Sequence, residues 1–273
     1  MNAPSLDMAA AEALFAFWRD AGVDACFEEA PVDRTVFVAP VAAQGAARGP
    51  ATVTPLRGPG GPSSFGEAAA EARRLAAAAA TLDELAEAVA AFEGCPLRAM
   101  GARQAVFARG NPQGSLMIVG EGPGAEEDAR GQPFVGRAGQ LLDRILTAAD
   151  LLDEAFITNT VFWRPPGNRT PTPQEQAACA PFVERALALL KPKAVLLVGA
   201  AAAKSVLKTD DGIMRTRGQW REWRLSEGGI AAPVIATLHP AFLLRQPQAK
   251  GLVWKDILEL SARLRGEAVE PTA

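Results

Sequence analysis

The sequence predicts an α/β fold: a doubly wound, three-layer α/β/α domain around a central, mostly parallel four-stranded sheet. Short apolar runs alternate with segments whose apolar residues recur at helical spacing. The runs lie at 115–119, 155–161, 194–198 and 233–237. Continuous apolar runs of this length are typical of parallel strands buried on both faces. Their strict alternation with helices, through short connections, predicts a parallel sheet.

Composition divides the chain into five predicted segments. Residues 27–65 are rich in Pro, Gly and Ala, and they hold too few large apolar side chains to offset the entropy of ordering them. Alanine-rich runs on the carboxyl side of this stretch favour helix. We expect an N-terminal helix over 1–26, a flexible linker over 27–65, a helical lead-in over 66–94, the α/β domain over 95–266 and a disordered tail over 267–273.

Within the predicted domain, the helical patterns are bounded by recognisable signals. Thr172 precedes Pro173, and Glu175 follows, which is a favourable helix start. A short edge strand at 106–107 precedes the turn at Gly110. We expect helices at 66–80, 82–92, 140–151, 173–190, 200–207 and 252–264.

Length, composition and charge exclude several classes of protein. Of 273 residues, 49% are hydrophobic, which excludes a wholly disordered chain. No apolar run approaches the ~20 residues that span a bilayer. The first residues lack the pattern of a signal peptide, so we expect a cytoplasmic protein. Three cysteines do not indicate a disulfide framework. The net charge of −3 argues against a generally basic nucleic-acid binder, although residues 101–273 carry +3 and permit a local basic face.

The carboxyl ends of the predicted strands are where the chemistry is expected to converge. The first strand runs into a glycine-rich loop from Gly120 to Gly139, the second holds Asn159 near its end, and the fourth runs into His239. Because parallel strands end at one edge of a sheet, these residues are expected to share a cleft there.

Each of these residues also has an ordinary structural interpretation. His239 is the only histidine, and a lone histidine is commonly structural; its position after a buried strand favours stabilisation of a developing anion. Asn159 could pair with backbone groups, or its amide could match an imide edge. Phe134 could be a core aromatic or a platform for a flat ring. Gly120 and Gly122 would let backbone approach a ligand closely.

Two other catalytic patterns are disfavoured. The sequence GEGPGA at 120–125 also fits a dinucleotide fingerprint, but Pro123 removes an amide donor, and the second strand offers Asn159 where a ribose-binding carboxylate is wanted. No G-x-S-x-G motif of a serine hydrolase is present. A single histidine also excludes a histidine-rich metal site.

Several long segments together resemble the family 4 uracil-DNA glycosylases of the uracil-DNA glycosylase superfamily. GEGPGAEEDARGQPFVGRAGQLLDRIL resembles the first family motif and its helix, ITNTVFWRPPGNRTPTPQE the second, and HPAFLLR the third, while RTRGQW resembles a further segment. The likeness runs from about Cys95 to Leu264. It does not include residues 1–90.

The resemblance implies excision of uracil from DNA, which leaves an abasic site. It implies that Phe134 stacks on the flipped base and that Asn159 reads its imide edge. His239 would stabilise the departing uracil, and Gly120 and Gly122 would contact the base. For orientation of the attacking water, the resemblance offers Glu121 and Asn168.

DNA contacts are expected around the third motif. Leu243, Leu244 and Arg245 would fill the gap left by the flipped nucleotide, unless both leucines belong to the core. Arg217 is expected to hold a phosphate, although such arginines are commonly only solvated. The expected partner is uracil-containing DNA, single- or double-stranded, bound by a monomer away from any membrane. A protein partner for residues 1–90 is a hypothesis.

The chain departs from the family at the [4Fe–4S] cluster that the resemblance implies. Cys95 and Cys179 match two of the four cluster cysteines, but Phe92 and Trp163 occupy the other two positions. Because such a cluster normally requires four thiolates, we expect no metal and no cofactor. A non-catalytic DNA-binding or interaction relative, or a glycosylase with a shifted preference among damaged bases, remains an alternative.

Overall fold

The computed structural model describes residues 65–225, residue 228 and residues 231–266. The predicted N-terminal helix (1–26), nearly all of the predicted linker (27–65) and the predicted tail (267–273) lie outside the described residues. Among the described helices, none is long and apolar enough to cross a bilayer.

The centre of the fold is a six-stranded sheet with the strand order β1-β3-β2-β4-β6-β5. The four inner strands are parallel, which confirms the predicted α/β fold, while β1 and β5 are antiparallel edges. The strands are β1 (Ala108–Gly110), β2 (Leu116–Gly120), β3 (Ala155–Asn159), β4 (Ala194–Val198), β5 (Arg221–Arg224) and β6 (Ala231–Thr237).

Helices surround the sheet and also occupy the loops at its carboxyl edge. The α-helices are α1 (Phe65–Ala78), α2 (Leu82–Ala91), α3 (Ala125–Arg130), α4 (Arg137–Ala148), α5 (Pro173–Leu190), α6 (Ala200–Leu207), α7 (Ile213–Thr216), α8 (Pro240–Arg245) and α9 (Lys250–Leu264). Thr172 caps α5 as expected. Its hydroxyl oxygen accepts a hydrogen bond from the Glu175 N–H, and the Glu175 carboxylate accepts one from the Thr172 N–H.

Two hydrophobic clusters form the core, one on each face of the sheet. Within β2, Met117 and Val119 belong to one cluster, whereas Leu116 and Ile118 belong to the other. This alternation explains the continuous apolar run, because every residue of the strand is buried on one face or the other. The lead-in helices α1 and α2 contribute to the first cluster together with α5.

The structure adds elements that periodicity does not reveal. The edge strand β5 carries three charged residues and one buried Trp223, so it gives no apolar run. The predicted edge strand at 106–107 is wrong in position: those two residues belong to no strand, and β1 occupies the next three, Ala108–Gly110, where it pairs with β3. Helices α3, α7 and α8 span only four to six residues, too few for a helical period to be read.

The register aligns the ends of the inner strands. Gly120 at the end of β2 pairs with Asn159 at the end of β3, and Val198 of β4 pairs with Thr237 of β6. The loops that follow these strands therefore emerge along one edge, where open α/β sheets bind ligands.

Candidate active site

A cleft of about 680 Å³ lies at the carboxyl edge of the sheet. Six of the predicted site residues line it: Glu121, Gly122, Phe134, Asn168, His239 and Arg245. A second cavity of about 670 Å³ is lined by residues of α5 and α6 and contains none of them. The residues singled out for chemistry thus converge on one of two cavities of similar size.

Asn159 lies at the end of β3 with only 1% of its surface exposed. Among the residues that the structure describes, neither its Oδ1 nor its Nδ2 atom has a hydrogen-bond partner. Burying such a group without partners costs about 1–3 kcal/mol, and folded proteins therefore rarely retain one without a reason. The predicted structural alternative, pairing with backbone groups, is not what the structure has. The carboxamide is buried beside Phe134, which lines the cleft, while Asn159 and Gly120 are not themselves among the lining residues.

Gly120, Asn159 and Phe134 are packed together without spare room. A Cβ atom at Gly120 would overlap both the Phe134 ring and the Asn159 Oδ1 atom. Only glycine fits between the carboxamide and the ring. Gly120 is therefore required by close packing, and its absent side chain allows the aromatic ring and the amide to adjoin.

Phe134 also meets His239. Their ring centroids are 5.7 Å apart, with an angle of 28° between the ring planes. Phe134 is 6% exposed and lines the cleft, so its ring links the buried amide on one side with the imidazole on the other. The phenyl ring thus contacts the imidazole and adjoins the carboxamide.

His239 is held in a defined tautomer. Its Nδ1 atom accepts a hydrogen bond from the Ala241 N–H at 3.2 Å, at the N-terminus of α8. Burial and, to a lesser extent, the charge of Arg245 lower the pKa of His239 to about 4, although Glu127 opposes the shift. The ring is therefore neutral near pH 7, and its proton is on Nε2. A neutral imidazole in this position is a hydrogen-bond donor to the cleft.

Gly199 is a site residue that sequence reasoning misses. It follows β4 with a φ of 95°, and a Cβ atom there would lie 3.0 Å from the His239 Cβ. Both the left-handed backbone and the close contact favour glycine. The available signal is its position directly after a buried strand.

Glu127 is a second missed residue. Its Oε1 atom accepts from the N–H groups of Val135 and Gly136, each at 2.9 Å, and its Oε2 atom accepts from the Gly124 N–H at 3.0 Å. One carboxylate therefore joins the first turn of α3 to the residues that follow Phe134. Glu127 is the third residue of α3 and forms only the carboxylate half of a capping box with Gly124, so an acidic residue in the first helical turn was the available signal.

The loop after β3 supplies the opposite wall of the cleft. Asn168 is exposed, has a φ of 54°, and accepts at Oδ1 from the Arg164 Nε at 2.6 Å. Arg169 donates two hydrogen bonds to the buried Glu175, and this pairing lowers the pKa of the Glu175 carboxyl. Glu121, across the cleft, is half-buried. Both predicted water-orienting residues, Glu121 and Asn168, therefore face the same space.

Of the α8 residues predicted to contact DNA, two are exposed and one is buried. Leu244 is 41% exposed and Arg245 is exposed at the cleft rim, whereas Leu243 is 0% exposed and belongs to the core. Consecutive residues of α8 point about 100° apart, so one leucine faces the solvent while its neighbour packs inward. The geometry gives the predicted DNA contact of Leu243 no support.

Arg217 also has an interior role. Its guanidinium donates from Nη2 and Nε to the Asp256 carboxylate at 2.5 and 3.2 Å, and from Nη2 to the Leu252 carbonyl at 2.7 Å. Thr237, two residues before His239, donates to the same carboxylate at 2.6 Å. With its side chain 15% exposed, Arg217 joins α9 to the end of β6. This geometry favours a structural role over the predicted phosphate contact.

The residues at the expected cluster position do not fit a [4Fe–4S] group. The Sγ atoms of Cys95 and Cys179 are 3.8 Å apart and buried. Phe92 and Trp163 are buried in the same cluster, with ring centroids 6.3 Å apart, and Phe92 also packs against Phe182 at 5.2 Å. Two thiols within an aromatic core provide half of the required ligands. The third cysteine, Cys26, lies outside the described residues.

Comparison with known proteins agrees with the site. The family model for the uracil DNA glycosylase superfamily matches residues 107–258, which include the whole cleft. A type-4 uracil-DNA glycosylase of Pyrobaculum aerophilum is 36% identical over 181 residues, covering 64% of this chain and 91% of the relative. The corresponding enzyme of Thermotoga maritima is 38% identical over 180 residues, covering 63% and 89%. This chain therefore belongs to the type-4 uracil-DNA glycosylases within the uracil-DNA glycosylase superfamily.

Proposed function

We propose that this protein excises uracil from DNA by hydrolysing the N-glycosidic bond, leaving an abasic site for repair. The observation that carries the proposal is the buried Asn159 carboxamide, which has no hydrogen-bond partner within the described part of the chain and adjoins the Phe134 ring. Membership of the type-4 uracil-DNA glycosylases supports the same activity.

Asn159 recognises uracil through complementary hydrogen bonds. The Oδ1 atom accepts from the N3–H group of the base, and Nδ2 donates to the neighbouring carbonyl. Cytosine presents an acceptor and an amino donor at the same positions, so two like groups would face each other. Because both amide atoms are buried, each unmatched group costs about 1–3 kcal/mol, which disfavours cytosine. Phe134 provides the stacking surface, and Gly120 and Gly122 let the backbone approach the base.

His239 stabilises the leaving group. When the bond between C1′ and N1 breaks, its electron pair stays on uracil and positive charge develops on the sugar. The neutral imidazole donates its Nε2–H to the anionic base. A fixed donor directed at developing charge is a large catalytic contribution, of about 10²–10³-fold for a single group.

A water molecule completes the hydrolysis by adding its oxygen to C1′. Glu121 and Asn168 line the cleft and provide a carboxylate and an amide for orienting that water. The Arg164 bond to Asn168 Oδ1 fixes the direction of the Asn168 amide. The proton that the water releases passes to Glu121 or to solvent.

The uracil must first leave the DNA stack, which costs a few kcal/mol. Leu244 is exposed beside the cleft and is the apolar side chain suited to fill the gap, with Arg245 next to it to contact a phosphate. A monomeric state, a cytoplasmic location and a protein partner for residues 1–90 remain predictions from the sequence.

The protein is proposed to act without an iron–sulfur cluster. The support is its donor set: Phe92 and Trp163 stand where two thiolates would be needed, and they pack against other aromatic rings. Iron analysis and visible absorbance of anaerobically purified protein test this proposal. Iron at four atoms per chain would refute it.

The activity is tested by uracil release from single- and double-stranded oligonucleotides. The wild-type protein is expected to release uracil, and His239→Ala to lower the single-turnover rate by about 10²–10³-fold. Gln113→Ala, an exposed residue ahead of β2 and away from the cleft edge, is the control. No release from any uracil-containing DNA would favour a non-catalytic binder. Faster release of another damaged base would indicate a shifted preference.

A further inference from the structure

Phe134 holds a backbone conformation that it would not adopt by itself. Its φ is 54°, in the left-handed region, where a non-glycine residue carries a cost of about 1–3 kcal/mol. Its carbonyl lies against Gly139 on α4, where a Cβ atom would overlap the Phe134 carbonyl oxygen. The surrounding contacts must therefore hold this residue in place.

Arg109 supplies one such set of contacts from the edge strand β1. Its Nε donates to the Pro133 carbonyl at 2.7 Å, and its Nη2 donates to the Phe134 carbonyl at 3.2 Å. The two carbonyls lie on either side of the left-handed residue. A planar guanidinium reaches both with N–H groups in a fixed geometry, which the flexible ammonium of lysine does not provide.

Asp143 fixes the guanidinium in that position. The Asp143 Oδ1 atom, on the second turn of α4, accepts from Arg109 Nη2 at 2.5 Å. The two side chains are 17% and 35% exposed, so the pair is largely shielded from solvent. Neither residue lines the cleft. The pair therefore contacts the loop from behind, whereas Glu127 holds the residues that follow Phe134.

Arg109 also belongs to the strand that flanks Asn159. β1 pairs with β3, with Arg109 opposite Ile157, two residues before the Asn159 strand end. The same side chain thus connects the edge that carries the amide to the loop that carries the aromatic ring. A fixed distance between amide and ring is what a flat base requires in order to be stacked and hydrogen-bonded at once.

We propose that Arg109, oriented by Asp143, is a positioning residue that holds the Phe134 ring in the place where the flipped base stacks. This inference rests on the proposed uracil excision. It assigns Arg109 an effect on the chemical step through Phe134, without contact with the base, the sugar or the reacting water. Loss of Arg109 should therefore slow excision and leave binding to undamaged DNA unchanged.

A double-mutant cycle tests the inference. Single-turnover rates are measured for wild type, Arg109→Ala, Phe134→Ala and the double variant on a uracil-containing duplex. Arg109→Ala is expected to slow excision about 10- to 100-fold when Phe134 is present, because small misplacements of binding groups have effects of this size. In the Phe134→Ala background the same change should alter the rate less than about 2-fold, because the ring that it positions is absent.

Controls separate positioning from general damage. Arg224→Ala removes an exposed arginine and its ion pair from β5, the opposite edge of the sheet, and should leave the rate unchanged. Arg109→Lys keeps the charge without the fork and should restore only part of the rate. Asp143→Asn should lower the excision rate several-fold, and this variant replaces Arg109→Ala in the cycle if Arg109→Ala fails to fold.

The outcomes are decisive in each direction. An equal loss in both Phe134 backgrounds, a weakened affinity for undamaged DNA, or a wild-type rate in Arg109→Ala would overturn the inference. Absence of uracil release by the wild-type protein would instead refute the proposed function. Urea unfolding of each variant shows whether that variant is folded under the conditions of the rate measurement.

Discussion

Replacing Asn159 with leucine should make the protein more stable and less active. The Asn159 side chain is 1% exposed, and none of the described residues hydrogen-bonds to its two polar atoms. Each such group costs about 1–3 kcal/mol in the folded state, and leucine, of similar shape, removes both. We expect the free energy of unfolding of Asn159→Leu to rise by about 1–3 kcal/mol, allowing for imperfect packing beside Gly120.

The same substitution should remove recognition of the base. Two lost hydrogen bonds, with the base polar groups left unpaired, raise the barrier by about 2–6 kcal/mol. At 1.36 kcal/mol for each factor of ten, excision should slow roughly 30- to 25,000-fold. Single-turnover uracil release measures this loss, and urea unfolding measures the stability.

Thr158→Val on the same strand is the matched control. The Thr158 hydroxyl is buried like the Asn159 amide, but it donates to the Phe107 carbonyl at 2.6 Å. Its removal should lower stability by about 1 kcal/mol and leave the rate near that of wild type. A destabilised Asn159→Leu protein would show that the amide is satisfied before substrate binds. Retained activity would refute the assignment of Asn159 to the base.

Three further predictions concern His239, Glu127 and the two leucines of α8. Because folding lowers the pKa of His239 to about 4, the unfolded chain takes up a proton between pH 6.5 and 4 that the folded protein does not. As the pH falls from 6.5 to 4, the free energy of unfolding of wild type should therefore decrease relative to that of His239→Gln. The single imidazole should titrate near pH 4 by NMR. Glu127→Gln should destabilise the protein by about 1–3 kcal/mol and slow excision at least ~10-fold, whereas Glu71→Gln, exposed on α1 and away from the cleft, should do neither. Leu243→Ala should cost about 2–5 kcal/mol of stability, while Leu244→Ala should weaken binding to uracil-containing duplex without unfolding the protein; the reverse pattern would contradict their burial.

Arg109 and Asp143 illustrate what the sequence could not show. They are 34 positions apart and lie on different elements, and each by itself is an ordinary charged residue of a strand or helix. Their pairing depends on where α4 lies against the edge of the sheet. The two carbonyls that Arg109 contacts have no sequence signature at all.

Leu243 and Arg217 are residues for which the sequence suggested a DNA contact and the structure shows an interior position. Both lie in segments that suggest DNA contact, yet one is in the core and the other pairs with Asp256. A helix of six residues has too few positions to show which face is buried, and the ion pair joins residues 39 positions apart. Local patterning cannot decide such cases.

The sequence by itself determined the order of the inner strands along the chain, their parallel direction and the sheet edge at which Asn159 and His239 lie. These follow from apolar runs and chain connectivity, which are local properties of the sequence. The tertiary structure alone decided which polar groups are left unpaired, which tautomer His239 adopts and which side chains hold Phe134. Those outcomes depend on burial and on distances between remote residues, which exist only once the elements have packed.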